Sequence, residues 1–333
     1  MTTRRVADSS ENGFLHSGVI KHRPTRVAPE RLLQALPEHL ANDIAEKQEA
    51  VTKALGHTWG GPWYASPGFL LYQGDCLQFL DTFREAGLAV ELALTSPPYN
   101  IGKEYEDALS VPEYVDWCGK WMTAVCEATA PTGSFWLNLG YLEVPARGRC
   151  VPIPYLLWDK SPFYLLQEVV WHYGAGVSTK RRLCPRNEKW LLYVKDPDNY
   201  TFNLDDIRDP NVKYPNQKKN GRFRCNPLGK NPSDVWSFPK VTTGAQRSSK
   251  ERTGHPAQFP LRVVQRIVLA SSNVGDLVLD PFAGSCSSGL AAMGLGRLFI
   301  GVETNEPYCE LAAERFEQFK RARAACGAQG VLF

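Results

Sequence analysis

The 333-residue chain has no run of about 18 apolar residues, the length a helix needs to cross a bilayer, so no membrane span is expected. Its first residues, Met1-Thr2-Thr3-Arg4-Arg5, lack the apolar core of a signal peptide, and the expected location is the cytoplasm. The nine cysteines occur singly, with no Cys-x-x-Cys and no Cys/His pair at zinc spacing. That pattern excludes a disulfide frame and a structural zinc site, reads as reduced thiols, and leaves no metal expected. A large excess of one charge is lacking too. The net charge of +3 says little about partners, and where the charges lie matters more. What is there is ordinary for a globular protein, with 43% hydrophobic and 22% charged residues. The length suits one large α/β domain with an insertion, or two domains.

Residues 1 to 27 are polar and carry Arg4, Arg5, Lys21, His22, Arg23 and Arg26. They read as an arm ordered poorly or by a partner. Between Pro29 and Leu55, Leu32, Leu33, Leu36, Leu40, Ile44 and Val51 fall near helical spacing, which makes 1–60 an extension with helical content. The apolar runs 69–72, 89–94, 133–139, 165–173, 190–195, 276–280 and 298–303 read as strands. Helical patterns at 77–86, 113–128, 151–163 and 307–323, and after Pro260, fall between or after them. Strands alternating with helices predict a mostly parallel sheet covered on both faces. Ligands of such sheets bind outside the carboxyl ends of the strands.

Two strand ends stand out. Thr95-Ser96-Pro97-Pro98-Tyr99-Asn100 stops a buried run with two prolines. Proline has no N–H, so the turn offers a hydroxyl, a carbonyl outside the regular ladder and an aromatic face within a few residues. That set suits a flat group bearing an amine, such as a nucleobase; the alternative is a Pro-rich loop whose tyrosine packs. The second is Asp280-Pro281-Phe282-Ala283-Gly284-Ser285. Gly284 lets a ligand approach the backbone and a helix amino terminus, and Asp280 is expected to point into that crevice. Glu303 ends the next strand, placed to hold two ribose hydroxyls or simply to face solvent. Asp75, after the first strand, is either a ligand contact or a helix N-cap. His255 receives no chemistry.

From Asp196 the apolar periodicity fades. Between 208 and 252 there are eleven Lys or Arg against three Asp or Glu, interleaved over 200–238 with Tyr200, Phe202, Tyr214, Phe223, Trp236 and Phe238. Basic plus aromatic on an inserted segment suits a nucleic acid, and a solvated, flexible insertion is the alternative. Lys218, Lys219, Arg222, Arg224, Arg247 and Lys250 are the candidate DNA contacts.

Taken together and in order, Gly74-Asp75, Ser96-Pro97-Pro98-Tyr99, Gly254-His255-Pro256 to Pro260, Asp280 to Ser285, and Glu303 with Tyr308 resemble the β-class DNA amino-methyltransferases. The resemblance runs from about residue 68 to 320. It implies an α/β, Rossmann-like methyltransferase sheet with helices on both faces and a circularly permuted motif order, because the catalytic turn precedes the cofactor turn. The implied division is an extension (1–60), a catalytic half (61–195), an inserted target-recognition region (196–252), a cofactor-binding half (253–325) and a tail (326–333). S-adenosylmethionine is the implied cofactor and double-stranded DNA the implied partner. A cognate restriction endonuclease acting separately is a partner such enzymes serve, and homodimers occur in the family. One departure is that the family usually has Gly-Thr-Thr after the serine of the cofactor turn, where this chain has Cys286, Ser287 and Ser288.

The resemblance also implies roles. Tyr99 would stack on a flipped base, with Ser96 Oγ and the Pro97 carbonyl accepting from its amino group and Pro98 stiffening the turn. Phe282, Ala283, Gly284 and Ser285 would line the cofactor pocket beside Asp280, Glu303 would bind the ribose, and Asp75 the adenosine. Serine in the catalytic turn goes with cytosine N4 and aspartate with adenine N6, so cytosine N4 is favoured and adenine N6 is the alternative. A nucleic-acid-binding protein with a degenerate core is a second class of reading, and an RNA or protein substrate a third.

Overall fold

The run Val90–Thr95 (β3) is buried along nearly its whole length and occupies the middle of the sheet. The computed structural model describes residues 36–325 apart from 104–108, 175, 177 and 243–248. The basic arm at 1–27, Leu32, Leu33, Arg247 and the tail therefore lie outside the described residues. On one side β3 pairs in parallel with β12 (Leu277–Asp280), followed by β13 (Leu298–Glu303) and β2 (Phe69–Gln73); on the other it pairs with β4 (Thr129–Leu139). These five parallel strands all end at one edge. Beyond β4 come β8 (Asn187–Val194), β7 (Tyr164–His172) and β11 (Val235–Ser237), while β1 (Tyr64–Ser66) flanks β2.

The sheet is mostly parallel, as expected, with two strands that run against the rest. Strand β8 runs antiparallel to both β4 and β7, and β1 antiparallel to β2. The reason lies in the connection: β7 and β8 are joined by a loop with no helix among its described residues, and only a crossover element returns a chain in parallel. The reversal has a use. It brings the start of β8 to the carboxyl edge of β4, with Lys189 opposite Leu139.

Helices cover both faces. Helices α1 (Glu38–Gly56), α2 (Cys76–Glu85), α3 (Val111–Ala128) and α4 (Ile153–Leu157) bury Val51, Phe79, Trp121 and Ile153 on one side. On the other, α6 (Leu261–Ser271), α7 (Ser287–Gly294) and α8 (Glu306–Ala325) bury Val264, Leu290 and Phe316. Local signals start several of these. Ser110 and Glu113 form a reciprocal capping box on α3, with a proline in its first turn. The carboxylate of Asp75 accepts from Leu77 and Gln78 N–H and caps α2.

The helix expected at 151–163 is a single short one. Residues Tyr141–Val144 (β5) and Gly148–Pro152 (β6) form a hairpin before α4. Pro162 then disfavours helical geometry at Ser161, so the chain turns out before β7. The range 196–252 is also less of an excursion than its composition suggests. It enters through α5 (Leu204–Ile207), packed on the core, and leaves through β11, paired in parallel with β7. Trp236 and Phe238, expected beside DNA, are 5% and 2% exposed, with the Arg266 guanidinium lying over both rings at 5.1 and 5.0 Å. Burial of an aromatic surface of that size outweighs any contact it could make at a wet groove. The part that projects begins and ends where Asp209 and Lys230 exchange backbone hydrogen bonds of 2.9 and 3.0 Å. Beyond that neck, Lys218–Lys219 (β9) and Arg222–Phe223 (β10) pair as an exposed hairpin.

Candidate active site

The carboxyl edge of the parallel strands opens on a cavity of about 1150 Å³. It is lined by both turns singled out from the sequence. Asp75, Ser96 to Tyr99, Phe282 to Ser285 and Glu303 all reach it. The candidate DNA contacts Lys218, Lys219, Arg222 and Arg224 do not; they lie on the exposed hairpin, and Lys250 is an exposed residue of the short turn at Ser249–Glu251.

One lobe is built around Gly284. Its φ of +49° is a left-handed value, and a side chain there would meet His255 Nε2 at 2.9 Å. Only glycine therefore closes this turn. Its N–H donates to Glu303 Oε2 at 2.8 Å, and Asn305 N–H donates to Oε1 at 2.9 Å. Burial pushes the Glu303 carboxyl above its ordinary value, and the hydrogen bonds from Asn305, Gly284 and Thr304 oppose that shift. From below, Arg315 donates to the Ser285 carbonyl at 2.7 Å and to Ser287 Oγ at 2.8 Å. Phe282 forms the aromatic wall, edge-on to Trp117 at 5.6 Å and Trp121 at 5.3 Å.

Asp280 is a correction. Its carboxylate does not reach the cavity. It is 1% exposed and accepts from Thr95 Oγ1 at 2.6 Å, Ser288 Oγ at 2.5 Å and Phe282 N–H at 3.1 Å. Burial raises it to about 6, against those three hydrogen bonds. It ties the two functional turns to each other, since Thr95 precedes Ser96 and Phe282 begins the small-residue turn. Cys286 also points away from the ligand space: it is buried in the core behind the turn, at φ +56°. That left-handed backbone is the reason a glycine suits the position.

Sequence reasoning left His255 without a role, yet it lines the cavity beside Gly284, with its ring 4.5 Å from that of Tyr308. Burial holds its value down at about 4, so the imidazole is neutral at neutral pH. Its Nδ1 accepts from Ala257 N–H at 3.2 Å, which puts the ring proton on Nε2. The Gly-His-Pro run was the available signal.

The other lobe is built around Ser96. Its hydroxyl lies 3.1 Å from Tyr99 Oη and 3.4 Å from Asn138 Oδ1, and Tyr99 Oη donates to the same Oδ1 at 2.9 Å. Asn138 is 1% exposed near the end of β4, and its amide is oriented by donating to the Lys189 carbonyl at 3.1 Å on β8. Tyr114 Oη donates to the Pro98 carbonyl at 2.9 Å and fixes the turn from α3. A side chain at Gly140 would meet the Tyr99 ring at 2.9 Å. Glu188, close to Gly140, pairs with Lys240 at 2.8 Å, and the ammonium sits 4.1 Å from the centre of the Tyr173 ring. All three line the cavity. Neither these three nor Asn138 was identified as a site residue from the sequence; the lone Asn within Trp-Leu-Asn-Leu was the available signal for Asn138.

The residues present fit S-adenosylmethionine. The glycine cradle admits the ligand close to the backbone, the Glu303 and Asp75 carboxylates suit hydroxyls and cationic groups, and Phe282 offers a face to a flat base. Among the described residues no cluster of His, Cys, Asp and Glu is placed to hold a metal. The permuted sheet, this cradle and the Ser96 turn on one edge define a Rossmann-like, S-adenosylmethionine-dependent methyltransferase.

Comparison with known proteins narrows the class. A family model described as DNA methylase matches residues 90–314. The chain is 57% identical over 267 residues to the Type II methyltransferase M.ScaI of Streptomyces caespitosus, covering 80% of this chain and 86% of that one. It is 33% identical over 243 residues to the DNA adenine methyltransferase YhdJ of Escherichia coli (strain K12), covering 69% and 76%. A solved PvuII DNA methyltransferase (cytosine-N4-specific) superposes with a TM-score of 0.59 at 20% identity, over 79% of this chain and 94% of that one, a likeness of fold. The chain belongs to the DNA methylase family and is an S-adenosylmethionine-dependent amino-methyltransferase of the N4/N6 class. The family sets the reaction type and not the base.

Proposed function

We propose that the protein methylates the exocyclic N4 of cytosine in duplex DNA, as the modification partner of a restriction endonuclease in the cytoplasm. The observation that carries this reading is the neutral cluster of Ser96, Tyr99 and Asn138. Asn138 Oδ1 can only accept, and it faces both hydroxyls. Each hydroxyl that donates to it turns its lone pairs toward the cavity. Ser96 Oγ, with the Pro97 carbonyl, then accepts from the two N–H bonds of an amine. The base lies on the Tyr99 face after leaving the helix, because its amine cannot reach this turn from within a stacked duplex. Two acceptors on the amine's hydrogens direct its lone pair out of the ring plane. The bound cofactor supplies a methyl group on a good leaving group, so no strong base is required before attack. Ser96, Tyr99 and Asn138 therefore act by holding the nitrogen in line. S-adenosylmethionine, held by Phe282, Gly284 and Glu303, would supply the methyl group and leave with the bonding pair on its sulfur, and the extra amine proton would pass to solvent.

Cytosine is favoured over adenine on two counts. The acceptor in the turn is serine rather than the aspartate that goes with adenine N6 in the family. The Lys240 ammonium also lines the same cavity, where it could donate to O2 of cytosine, an acceptor that adenine lacks. Adenine N6 is the second reading, favoured by the relative YhdJ. A degenerate, binding-only core had Cys286 as its support, and that thiol faces away from the cavity. A homodimer fits the family habit. Among the described residues no helix is long and apolar enough to cross a membrane, in keeping with the cytoplasmic reading.

The test is nucleoside mass spectrometry. Purified protein is incubated with unmethylated duplex DNA of mixed sequence and S-adenosylmethionine, and the DNA is digested. N4-methylcytosine is expected. N6-methyladenine overturns the base assignment and keeps the reaction. No methylated nucleoside, with cofactor bound and a target present, moves the reading to a binding protein.

A further inference from the structure

The loop between β7 and β8 carries the most exposed large hydrophobic residue described in the molecule. Leu183 is 95% exposed, and the next, Tyr155, is 75%. Lys180, Arg181 and Arg182 precede it and are exposed as well. The tip stands on a closed base. Thr179 Oγ1 donates to the Arg182 carbonyl, Thr179 N–H donates to Cys184 Sγ at 3.4 Å, and Pro185 follows. Arg182 reaches across to Cys150 Sγ on β6 at 3.6 Å, so loop and hairpin brace each other. Arg182, Pro185 and Cys150 line the same cavity as Ser96 and Tyr99. A leucine is thus held out in water, behind three cations, at the rim of the pocket that takes the target base.

We propose that Leu183 is a wedge that enters the base stack of duplex DNA and fills the space left by the base turned into the Tyr99 pocket. Lys180, Arg181 and Arg182 seat on the flanking phosphates. An apolar side chain between base steps replaces lost stacking and hinders the flipped base from returning. Cations beside it neutralise the backbone it must pass, and they contact any sequence equally well. This inference rests on the base-flipping step of the proposed function.

The test uses a short synthetic duplex carrying the site that the full-length protein methylates, located by sequencing DNA from cells that express it. Single-turnover methylation is compared for the wild-type protein, Leu183→Ala and Leu183→Met. Each is run on the paired duplex and on one with an abasic residue opposite the target base. On the paired duplex Leu183→Ala should be slower by about 10- to 100-fold, the factor expected when a few kcal/mol of unstacking is no longer offset. Its rate should recover to within about threefold of wild type on the abasic duplex, where flipping costs less, and Leu183→Met should stay near wild type on both. An equal loss on both duplexes, or no loss on either, overturns the wedge. So does a change of oligomeric mass on Leu183→Ala by light scattering, which would assign the leucine to a second copy of the chain. Failure of base flipping itself shows in the wild type: 2-aminopurine at the target position would not brighten on binding, and the wedge falls with it.

Discussion

On the side of the cavity proposed for the cofactor the polar groups are held largely by backbone N–H groups. Glu303 accepts from Asn305 and Gly284 N–H, and Asp75 from Leu77 and Gln78 N–H. On the side proposed for the base they are held by groups far away in the chain. Ser96 and Tyr99 meet Asn138, Asn138 meets Lys189, and Glu188 meets Lys240. Backbone donors cannot be exchanged by substitution, so the first arrangement suits a ligand that never changes. Side chains can be exchanged one at a time, so the second suits a target that differs between relatives. The buried carboxylate of Asp280 joins the two, through Thr95 on one side and Phe282 on the other.

The sharpest way to break this comparison is a crossed pair of substitutions. On the proposed mechanism Ser96→Ala removes an acceptor from the amine and leaves the Gly284–Glu303 lobe intact. Its kcat should fall by about 100-fold, with cofactor affinity within about twofold of wild type, as for loss of a positioning group at the reacting atom. Stopped-flow methylation and calorimetric titration with S-adenosylmethionine read the two quantities. Equal losses in both would mean that the lobes are not separable.

Glu303→Ala is the reverse case and the next largest. It removes the carboxylate proposed to hold the cofactor and leaves the buried Gly284 N–H without its acceptor. S-adenosylmethionine should bind about 10- to 100-fold more weakly, the cost of a charged hydrogen-bond partner together with an orphaned donor. At saturating cofactor, kcat should stay within about threefold of wild type if the residue acts through binding alone. Unchanged affinity removes Glu303 from the site.

The same contrast decides what could be read from the chain. The small-residue turn was legible as a wall of the cavity because its signal is local: Asp280 to Ser285 and Glu303 fall on successive strand ends, and each is recognisable in a few residues. Even there, the direction of Asp280 was not legible. That it faces Thr95 and Ser288 rather than the ligand follows from parallel packing of β3 against β12, which no short window contains. Ser96 and Tyr99 were legible for the same local reason, and their partner Asn138 was not. Lys240 was counted as one base among many in a basic segment, and Trp236 and Phe238 as aromatics for DNA. The antiparallel return of β8 and the edge strand β11 put all three beside the core or the cavity instead. Composition reports what a segment contains and says nothing of which part of it the sheet takes back.

Asp280 gives a smaller effect, on stability. Its folded value of about 6 lies above the ordinary 3.8 because of burial. Between these values the unfolded chain has lost the proton while the folded chain keeps it. The native state binds more protons there, so stability falls as pH rises through that window, by about 3 kcal/mol at most. Below 3.8 the full stability is present. Asp280→Asn has no proton to lose, and Ser288 can donate or accept. The difference in melting temperature between variant and wild type should therefore shift by about 3 to 6 °C in favour of the variant as pH rises from 4 to 6. A difference that does not move with pH would show that Asp280 ionises as it does in water and that the joint between the lobes is open.

The smallest effects belong to the exposed hairpin. Lys218, Lys219, Arg222 and Arg224 lie outside the cavity, so their removal should change neither kcat at saturating DNA nor cofactor affinity. What they can change is the salt dependence of DNA binding. Each cation seated on a phosphate releases about one counterion, so replacing any one by Gln should reduce the slope of log K against log salt by about 1. Fluorescence anisotropy across a salt series measures that slope. A slope unchanged by all four replacements would place the duplex away from the hairpin. The phosphate path would then follow the other basic element at the cavity rim, Lys180 to Arg182, and the projecting arm beyond the Asp209–Lys230 neck would be a solvated insertion rather than the reader of the target.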